Sequence, residues 1–399
     1  MRIPITESIF ARMTALSNKY GAYNLAQGLM WLPPDPCLME EAQRAFSDHT
    51  LHQYSLPAGV YELRAIIAHL SERFFGTAYD PDREITVTAG ATEALFAAIQ
   101  ALTLPGDRAL FIEPAYDSYL PAFEMGGVQA EPIPIEITPQ GAYLDWNAVE
   151  ARLEKGVRLL LLNFPHNPTG RVLHPEDIRT LEELLGRYPT LHIIVDEAYE
   201  FMYWHPDPFE ATLLPPRSVR QSPLLRERSV IIGSLGKILG TTGWRLGYIA
   251  APAKLTAQIR AVHQFITFCA PTPLQVAAAR YLEGNPDRVL FFHEGLLERR
   301  KLFTELLRSH TNLPLLPPEG GYFILIRPPD NGLTDLHLAE YLTQAAKVAT
   351  IPLSPFYHDG RNTGWLRLCF ARPVEMLKQA ALQLGAMYPA AQSIGHQPE

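Results

Sequence analysis

Three polar side chains within one short stretch have the types and spacing to do chemistry. Ser234, Lys237 and Arg245 lie between Ile231 and Ala250, in the run IIGSLGKILGTTGWRLGYIA. Gly233, Gly236, Gly240, Gly243 and Gly247 separate them. Glycine accepts positive φ and lets backbone approach a ligand closely. A hydroxyl and a guanidinium among glycines suit a phosphate-bearing ligand. The lysine adds a second chemistry. A partly desolvated amine has a lowered pKa and can form a Schiff base with a carbonyl.

Four readings of this stretch compete. A phosphate-binding P-loop needs Gly, four residues, then Gly-Lys-Ser/Thr. Ile231 stands where its first glycine should be and Ile238 follows Lys237, so that reading fails. A Ser-x-x-Lys hydrolase would use Ser234 and Lys237, but its Ser-Asp-Asn and Lys-Thr-Gly partners occur nowhere in the sequence. A pyridoxal-phosphate enzyme would carry the cofactor on Lys237 and hold its phosphate with Ser234 and Arg245. A solvated polar loop, with Lys237 one amine among many, is the fourth. The stretch alone leaves the last two open.

The elements that must position these groups follow a regular rhythm. Short apolar runs at 85–88, 108–112, 128–133, 158–163, 192–196, 229–233 and 247–250 read as strands. Helical patterns alternate with them, at 93–104 and 175–187 among others. About seven strands alternating with helices predict an open, mostly parallel α/β sheet with helices on both faces. Ligands of such sheets sit at the carboxyl ends of the strands. Those ends carry Thr88 to Thr92, Tyr116, Asn167, Asp196 with Tyr199, and Ser234 with Lys237. The small-residue turn before the helix at 93 offers backbone N–H groups to an anion. Upstream, helices are expected at 5–18, 38–47 and 60–75, with an extended Pro-rich arm at 23–36. Downstream, helices are expected at 254–263 and 274–282; from the helix at 287–309 onward, helices at 336–345 and 374–384 and strands at 322–326, 349–353 and 365–370 predict a smaller α+β unit. The segment 213–227 reads as a long surface connection, and the chain from 389 as a frayed tail.

Composition sets limits on function. The chain has 399 residues, 47% hydrophobic and 19% charged, an ordinary globular profile. A net charge of −8 gives no basic footprint for nucleic acid or an anionic membrane. No apolar run has the length of a membrane-spanning helix. The first residues, MRIPITESIFARM, lack the apolar core of a secretory signal. Cys37, Cys269 and Cys369 are odd in number and far apart, so neither a disulfide framework nor a metal site is expected. A reducing cytoplasm is the expected setting.

Taken together, four ordered motifs resemble a known family. They are Asn167-Pro-Thr-Gly170, Asp196-Glu-Ala-Tyr199, Ser234-Leu-Gly-Lys237 and Gly243-Trp-Arg-Leu-Gly247. The chain, over about residues 5–385, is similar to the class I/II aminotransferases of pyridoxal-phosphate (PLP) fold type I. Val87-Thr-Ala-Gly-Ala-Thr-Glu-Ala94 and Phe164-Pro-His-Asn-Pro-Thr-Gly-Arg171 carry a nearer likeness to bacterial methionine aminotransferases and to kynurenine (glutamine) aminotransferases.

The resemblance implies a large PLP-binding domain at 46–285 with a seven-stranded sheet. It implies a small C-terminal domain at 286–388, an N-terminal arm at 1–45 contributing to the small domain, and a tail at 389–399. It implies that Lys237 binds PLP as an imine and, once released, shuttles a proton at the substrate Cα. Asp196 would keep the pyridine nitrogen protonated. Tyr199 and Asn167 would hydrogen-bond the ring oxygen, and Tyr116 would stack on the ring. Ala91, Thr92, Ser234 and Arg245 would hold the phosphate, joined by Tyr54 from a neighbouring subunit of a homodimer with shared active sites. Arg367 would clamp the substrate carboxylate, and Gly28 would close over it. Phe268 and Trp31 would wall an apolar side-chain pocket, with Cys269 where kynurenine enzymes of the family typically have His. The implied substrates are an apolar or aromatic amino acid and a 2-oxo acid. A PLP-dependent β C–S lyase, or a binding domain without turnover, shares these residues and remains open at this point.

Overall fold

The computed structural model describes residues 8–210, 212 and 214–390. The expected helix start at residue 5, the start of the surface connection at 213 and the tail beyond 390 lie outside them. Among the described residues fourteen strands form, numbered here in chain order: β1 (Tyr23–Asn24), β2 (Ile85–Thr88), β3 (Arg108–Glu113), β4 (Gln129–Thr138), β5 (Gly141–Leu144), β6 (Leu159–Asn163), β7 (His192–Asp196), β8 (Ser229–Gly233), β9 (Gly247–Ala250), β10 (Leu315–Leu316), β11 (Phe323–Ile326), β12 (Val348–Ala349), β13 (Ile351–Pro352) and β14 (Leu366–Cys369).

All seven strands expected between 85 and 250 are present in one large sheet, in the order β2-β9-β8-β7-β6-β3-β4-β5. The eighth member, β5, is a hairpin return of β4 beyond the expected end of that strand. Strands β8, β7, β6, β3 and β4 run parallel, and β9 is antiparallel to both its neighbours. Burial explains the composition of the central strands. Leu159 to Leu162, Ile193 to Val195 and Val230 to Ile232 have no exposure on either face, so an unbroken apolar run is required there rather than an alternating one.

A second sheet has the order β10-β11-β14-β13, and β1 pairs in parallel with β12. It has its own core, in which Ile9, Met13, Leu25 and Met30 of the N-terminal arm pack with Phe323, Ile324, Leu366 and Leu368. Helix Pro36–Ser47 leaves this unit, burying Ala42 and Ala45 against Ala277 of helix Thr272–Glu283 beside the large sheet. The N-terminal arm is therefore shared between two cores.

Two expected elements break. The helix expected over 287–309 is a 3₁₀ turn, Pro286–Leu290, followed by the helix His293–His310. The break lets Val289 enter the core of the large sheet while Phe292 enters the other. The strand expected over 349–353 divides at Thr350, because its two halves have different partners: β12 pairs with β1, and β13 with β14.

One buried ion network fixes the loop beyond β7. Arg220 has 1% side-chain exposure and reaches Glu197 at 2.5 Å and Glu200 at 3.0 Å. Tyr248 Oη donates to Glu200 at 2.5 Å and Ser218 Oγ to Glu197 at 2.5 Å. Removing the cation would leave two buried carboxylates uncompensated. Arg220→Ala is expected to destabilise the fold by about 3–5 kcal/mol, read from the midpoint of urea unfolding, whereas a loss under about 1 kcal/mol would contradict this account.

Candidate active site

The sheet delivers its polar residues to one place. Asp196 ends β7, with Asn163 of β6 and Ile232 of β8 beside it in register. Lys237 sits on the single helical turn Leu235–Ile238 directly after β8. Gly233, at the end of β8, admits the ring of Tyr248, since a Cβ there would lie 2.1 Å from it. Arg245 takes φ 55° immediately before β9. Ala91, Thr92, Tyr116, Asn167, Asp196, Tyr199, Ser234, Lys237 and Arg245 line one cavity of about 450 Å³. Gly28 and Arg367, from the other unit, complete it.

The amine of Lys237 is buried, and burial pulls its pKa down to about 8. Its Nζ donates to the carbonyl oxygen of Gly28 at 2.6 Å, an oxygen that also accepts from Tyr322 Oη at 2.9 Å. Burial pushes the Asp196 carboxyl up, opposed by hydrogen bonds from Tyr119 Oη at 2.6 Å and Ala198 N at 3.1 Å and by the charge of Lys237. A buried carboxylate of this kind favours a cationic or N–H partner in the cavity.

The phosphate-sized end is built from backbone. Helix Ala91–Leu102 starts at Gly90 (φ 84°), which has no side chain to cap it. The N–H groups of Ala91 and Thr92 meet no acceptor among the described residues. Gly90 also makes room for Arg245, whose Nη2 would lie 2.8 Å from a Cβ. Free N–H groups at a helix start and an adjacent guanidinium favour an anion. Ser234 caps the Leu235–Ile238 turn without using its hydroxyl for a cap bond.

At the opposite end Arg367 is 1% exposed. Its Nη1 donates to Asn167 Oδ1 at 2.7 Å and its Nη2 to Ala26 O at 2.8 Å, while its buried Nε has no partner. No carboxylate among the described residues lies within 4.0 Å of it. Its guanidinium stacks over Phe323 at 4.0 Å. A buried, unpaired guanidinium is costly unless a ligand supplies the anion.

Three expected residues lie outside the cavity of their own chain, Tyr54 among them as its expected place in a neighbouring subunit's site requires. Tyr54 is 84% exposed and packs edge-on against Phe268 at 5.3 Å, outside the cavity of its own chain. Trp31 is 57% exposed, and its ring lies near Arg372. The apolar wall within one chain is made instead by Phe10 and Leu29. Helix Ile9–Tyr20 and the strap after β1 bring them in by packing on the small-unit core, which no local pattern announces. Sequence reasoning also missed Tyr119 and Tyr322, aromatic residues whose hydroxyls meet Asp196 and Gly28 only after folding.

His166, within the Asn167 motif, is buried and pulled down to about 3 by burial, so it is neutral. Its Nε2 faces Pro114 O at 3.0 Å and its Nδ1 faces Thr169 Oγ1 at 2.7 Å, which ties the Asn167 turn to the Tyr116 loop. That loop is also tied to the small unit: Ala115 N donates to Phe356 O at 2.7 Å, and His358 N to Glu113 Oε1 at 2.5 Å.

An amine with a lowered pKa, a buried carboxylate, an anion cup and an unpaired guanidinium around one cavity suit a ligand that carries anionic groups. The sequence model of aminotransferase class I and II matches residues 21–384. The chain belongs to that family and is an aminotransferase. It is 37% identical to the methionine aminotransferase of Escherichia coli over 381 residues, covering 94% of this chain and 95% of that protein. It is 28% identical to human kynurenine–oxoglutarate transaminase 3, covering 94% and 87% of the two chains. The crystal structure of YbdL from Escherichia coli, which has a methionine aminotransferase function, superposes with a TM-score of 0.89 at 36% identity, covering 97% of this chain and all of that one.

The lowered pKa of Lys237 gives a pH signature. In the cofactor-free protein, trapping of a small aldehyde on Lys237 by borohydride is expected to rise with pH about a midpoint near 8 and to level about one unit higher. An ordinary lysine would keep climbing toward about 10.4. Peptide mass spectrometry reads the labelling, and a Lys237 curve still rising above pH 9 would refute the lowered value (about one unit above the expected midpoint).

Proposed function

We propose that the cavity binds pyridoxal 5′-phosphate at Lys237 and moves an amino group from an apolar or aromatic L-amino acid to a 2-oxo acid. The observation that carries this reading is the buried Lys237 amine set between the Asp196 carboxylate and the unpaired guanidinium of Arg367. The donor set fits the cofactor: the cup at Ala91 and Thr92, with Ser234 and Arg245, suits a phosphate, and the raised Asp196 suits a ring N–H. When bound, the cofactor supplies an electron sink for negative charge at the substrate Cα.

The chain's own residues do the rest. Asp196, held by Tyr119 and the Ala198 N–H, would keep a fixed negative charge against the ring nitrogen. Asn167 and Tyr199 would donate to the ring oxygen, and Tyr116 would cover a ring face. Arg367 takes the α-carboxylate through N–H groups in a fixed plane and so orients the Cα. Lys237, with an amine near neutrality, takes and returns the proton at that carbon. Burial excludes water from these charges. Donor and acceptor both carry an α-carboxylate, so they use the site in turn, in a ping-pong sequence.

The side-chain preference rests on what lines the cavity. Lys237, Arg245 and Arg367 are its cationic side chains, and each has a role at the cofactor or α-carboxylate. None remains for a distal carboxylate, while Phe10 and Leu29 offer apolar surface. The methionine and kynurenine relatives support the same reading. We further propose a homodimer in which the exposed Tyr54 and Phe268 pair belongs to the partner's site, and a reducing cytoplasm in which Cys37, Cys269 and Cys369 stay free. No helix among the described residues is long and apolar enough to cross a membrane.

L-Methionine added to the purified, PLP-loaded protein is expected to bleach the visible cofactor band and release one equivalent of 2-oxo acid without ammonia. Release of ammonia and pyruvate from a cysteine conjugate in preference to transamination would favour the lyase instead. Lys237→Ala is expected to lower turnover by at least about a thousandfold, in line with loss of a covalent and proton-transfer group; near-native turnover would overturn the assignment. Sedimentation of Tyr54→Ala is expected to give a dimer with weakened PLP retention, and an active wild-type monomer would remove the shared site.

A further inference from the structure

Arg372 is fully buried. It follows β14, the strand that carries Arg367, by three residues. Its guanidinium points at the underside of the strap between β1 and Trp31. Nε donates to Asn24 O at 2.8 Å and Nη2 to Gln27 O at 2.7 Å. Nη1 faces Leu29 O and lies 3.4 Å from Cys369 Sγ. All three strap partners are carbonyl oxygens, and no carboxylate among the described residues pairs with it.

Arg367 Nη2 also holds the strap, donating to Ala26 O at 2.8 Å, and each end is bonded: Cys369 N donates to Leu25 O at 2.9 Å and Trp31 N to Ala371 O at 3.0 Å. Between them sits Gly28, whose carbonyl meets Lys237 and Tyr322. A Cβ on Gly28 would lie 3.0 Å from Phe323 and 4.0 Å from Arg367 Nη2, so the strap backbone rests on the carboxylate clamp itself. An arginine places several N–H donors in one rigid plane. Three carbonyls spread over six residues of extended chain match that plane better than they match a single N–H.

We propose that Arg372 is a positioning residue for substrate carboxylates: it staples the strap to the strand bearing Arg367, so that Gly28 is set over the clamp before substrate arrives. The proposal rests on the assignment of Arg367 as the clamp. Arg372 touches neither substrate nor cofactor. It acts by removing the freedom of the strap, whose ordering each substrate would otherwise have to supply from its own binding energy. Donor and acceptor both present an α-carboxylate, so both depend on it.

The test compares Arg372→Ala, Arg372→Gln and Arg372→Lys with the PLP-loaded wild type. In the alanine and glutamine variants, KM for L-methionine and for the 2-oxo acid is expected to rise together by about tenfold or more, with kcat reduced less than about threefold. The lysine variant, which keeps the charge and some donors but not the plane, should recover only part of the loss. The cofactor band should be unchanged in all three. Reaction with 3-(methylthio)propylamine, which lacks the carboxylate, should be unaffected by the substitutions. Chymotrypsin should cut the strap near Leu29 and Trp31 faster in the alanine and glutamine variants.

If the alanine variant does not fold, the glutamine and lysine pair carries the comparison. Unchanged KM in the glutamine variant, or equal loss with the amine and the amino acid, would overturn the proposal. Failure of the underlying clamp reading looks different: Arg367→Ala would then leave KM for both substrates at the wild-type value.

Discussion

The site depends on holding charged groups away from water. Lys237 and Arg367 are buried together with a single carboxylate, Asp196. Burial penalises all three ionised forms. The chain meets that penalty with neutral dipoles rather than with matched ion pairs. Gly28 O receives Lys237, Asn167 Oδ1 and Ala26 O receive Arg367, and Tyr119 Oη and Ala198 N serve Asp196. The result is a set of ionisable groups each supported but none neutralised. Such groups keep their electrostatic reach for a ligand that brings the missing charge.

The folding of two units around these groups follows from the same constraint. The large sheet supplies the amine, the carboxylate and the anion cup, all at strand ends where the backbone has finished pairing. The small unit supplies the guanidinium, on β14, and the strap brings in Gly28. Neither core alone encloses the cavity. A group reaching from one unit is desolvated only when the other is in place, so the lowered pKa of Lys237 is a property of the assembled pair. The Arg220 network plays the opposite role beside it: there the ions are matched, and they fix the loop carrying Tyr199 without offering anything to a ligand.

Most of the site was legible because its residues sit in short runs with glycine or proline between them. Asp196 ends a strand, Asn167 and Lys237 follow one by four residues and Arg245 precedes one by two, and strand boundaries are readable from apolar runs and small-residue breaks. The seven large-sheet strands were legible for the same reason. What escaped was what depends on packing at long range. Tyr119 and Tyr322 look like any core aromatic until their hydroxyls find Asp196 and Gly28. Phe10 lies on an amphipathic helix more than 200 residues from Lys237, and only the shared core of the N-terminal arm and the small unit brings it to the cavity. The helix broken at Phe291 and the strand divided at Thr350 escaped because each half serves a different partner, while periodicity reports only one.

The ties between the Tyr116 loop and the residues around Phe356 have a mechanical consequence. Ala115 N and Glu113 Oε1 are bonded across to Phe356 O and His358 N. These bonds run from the floor of the large unit to the segment following β13. Rotation of one core about the other therefore has two outcomes: the bonds break, or Tyr116 travels with the small unit. In the second case the aromatic face of the cavity behaves as a lever driven from outside it. Through His166, which joins the same loop to the Asn167 turn, the motion would be transmitted to a side chain that already touches the guanidinium of Arg367.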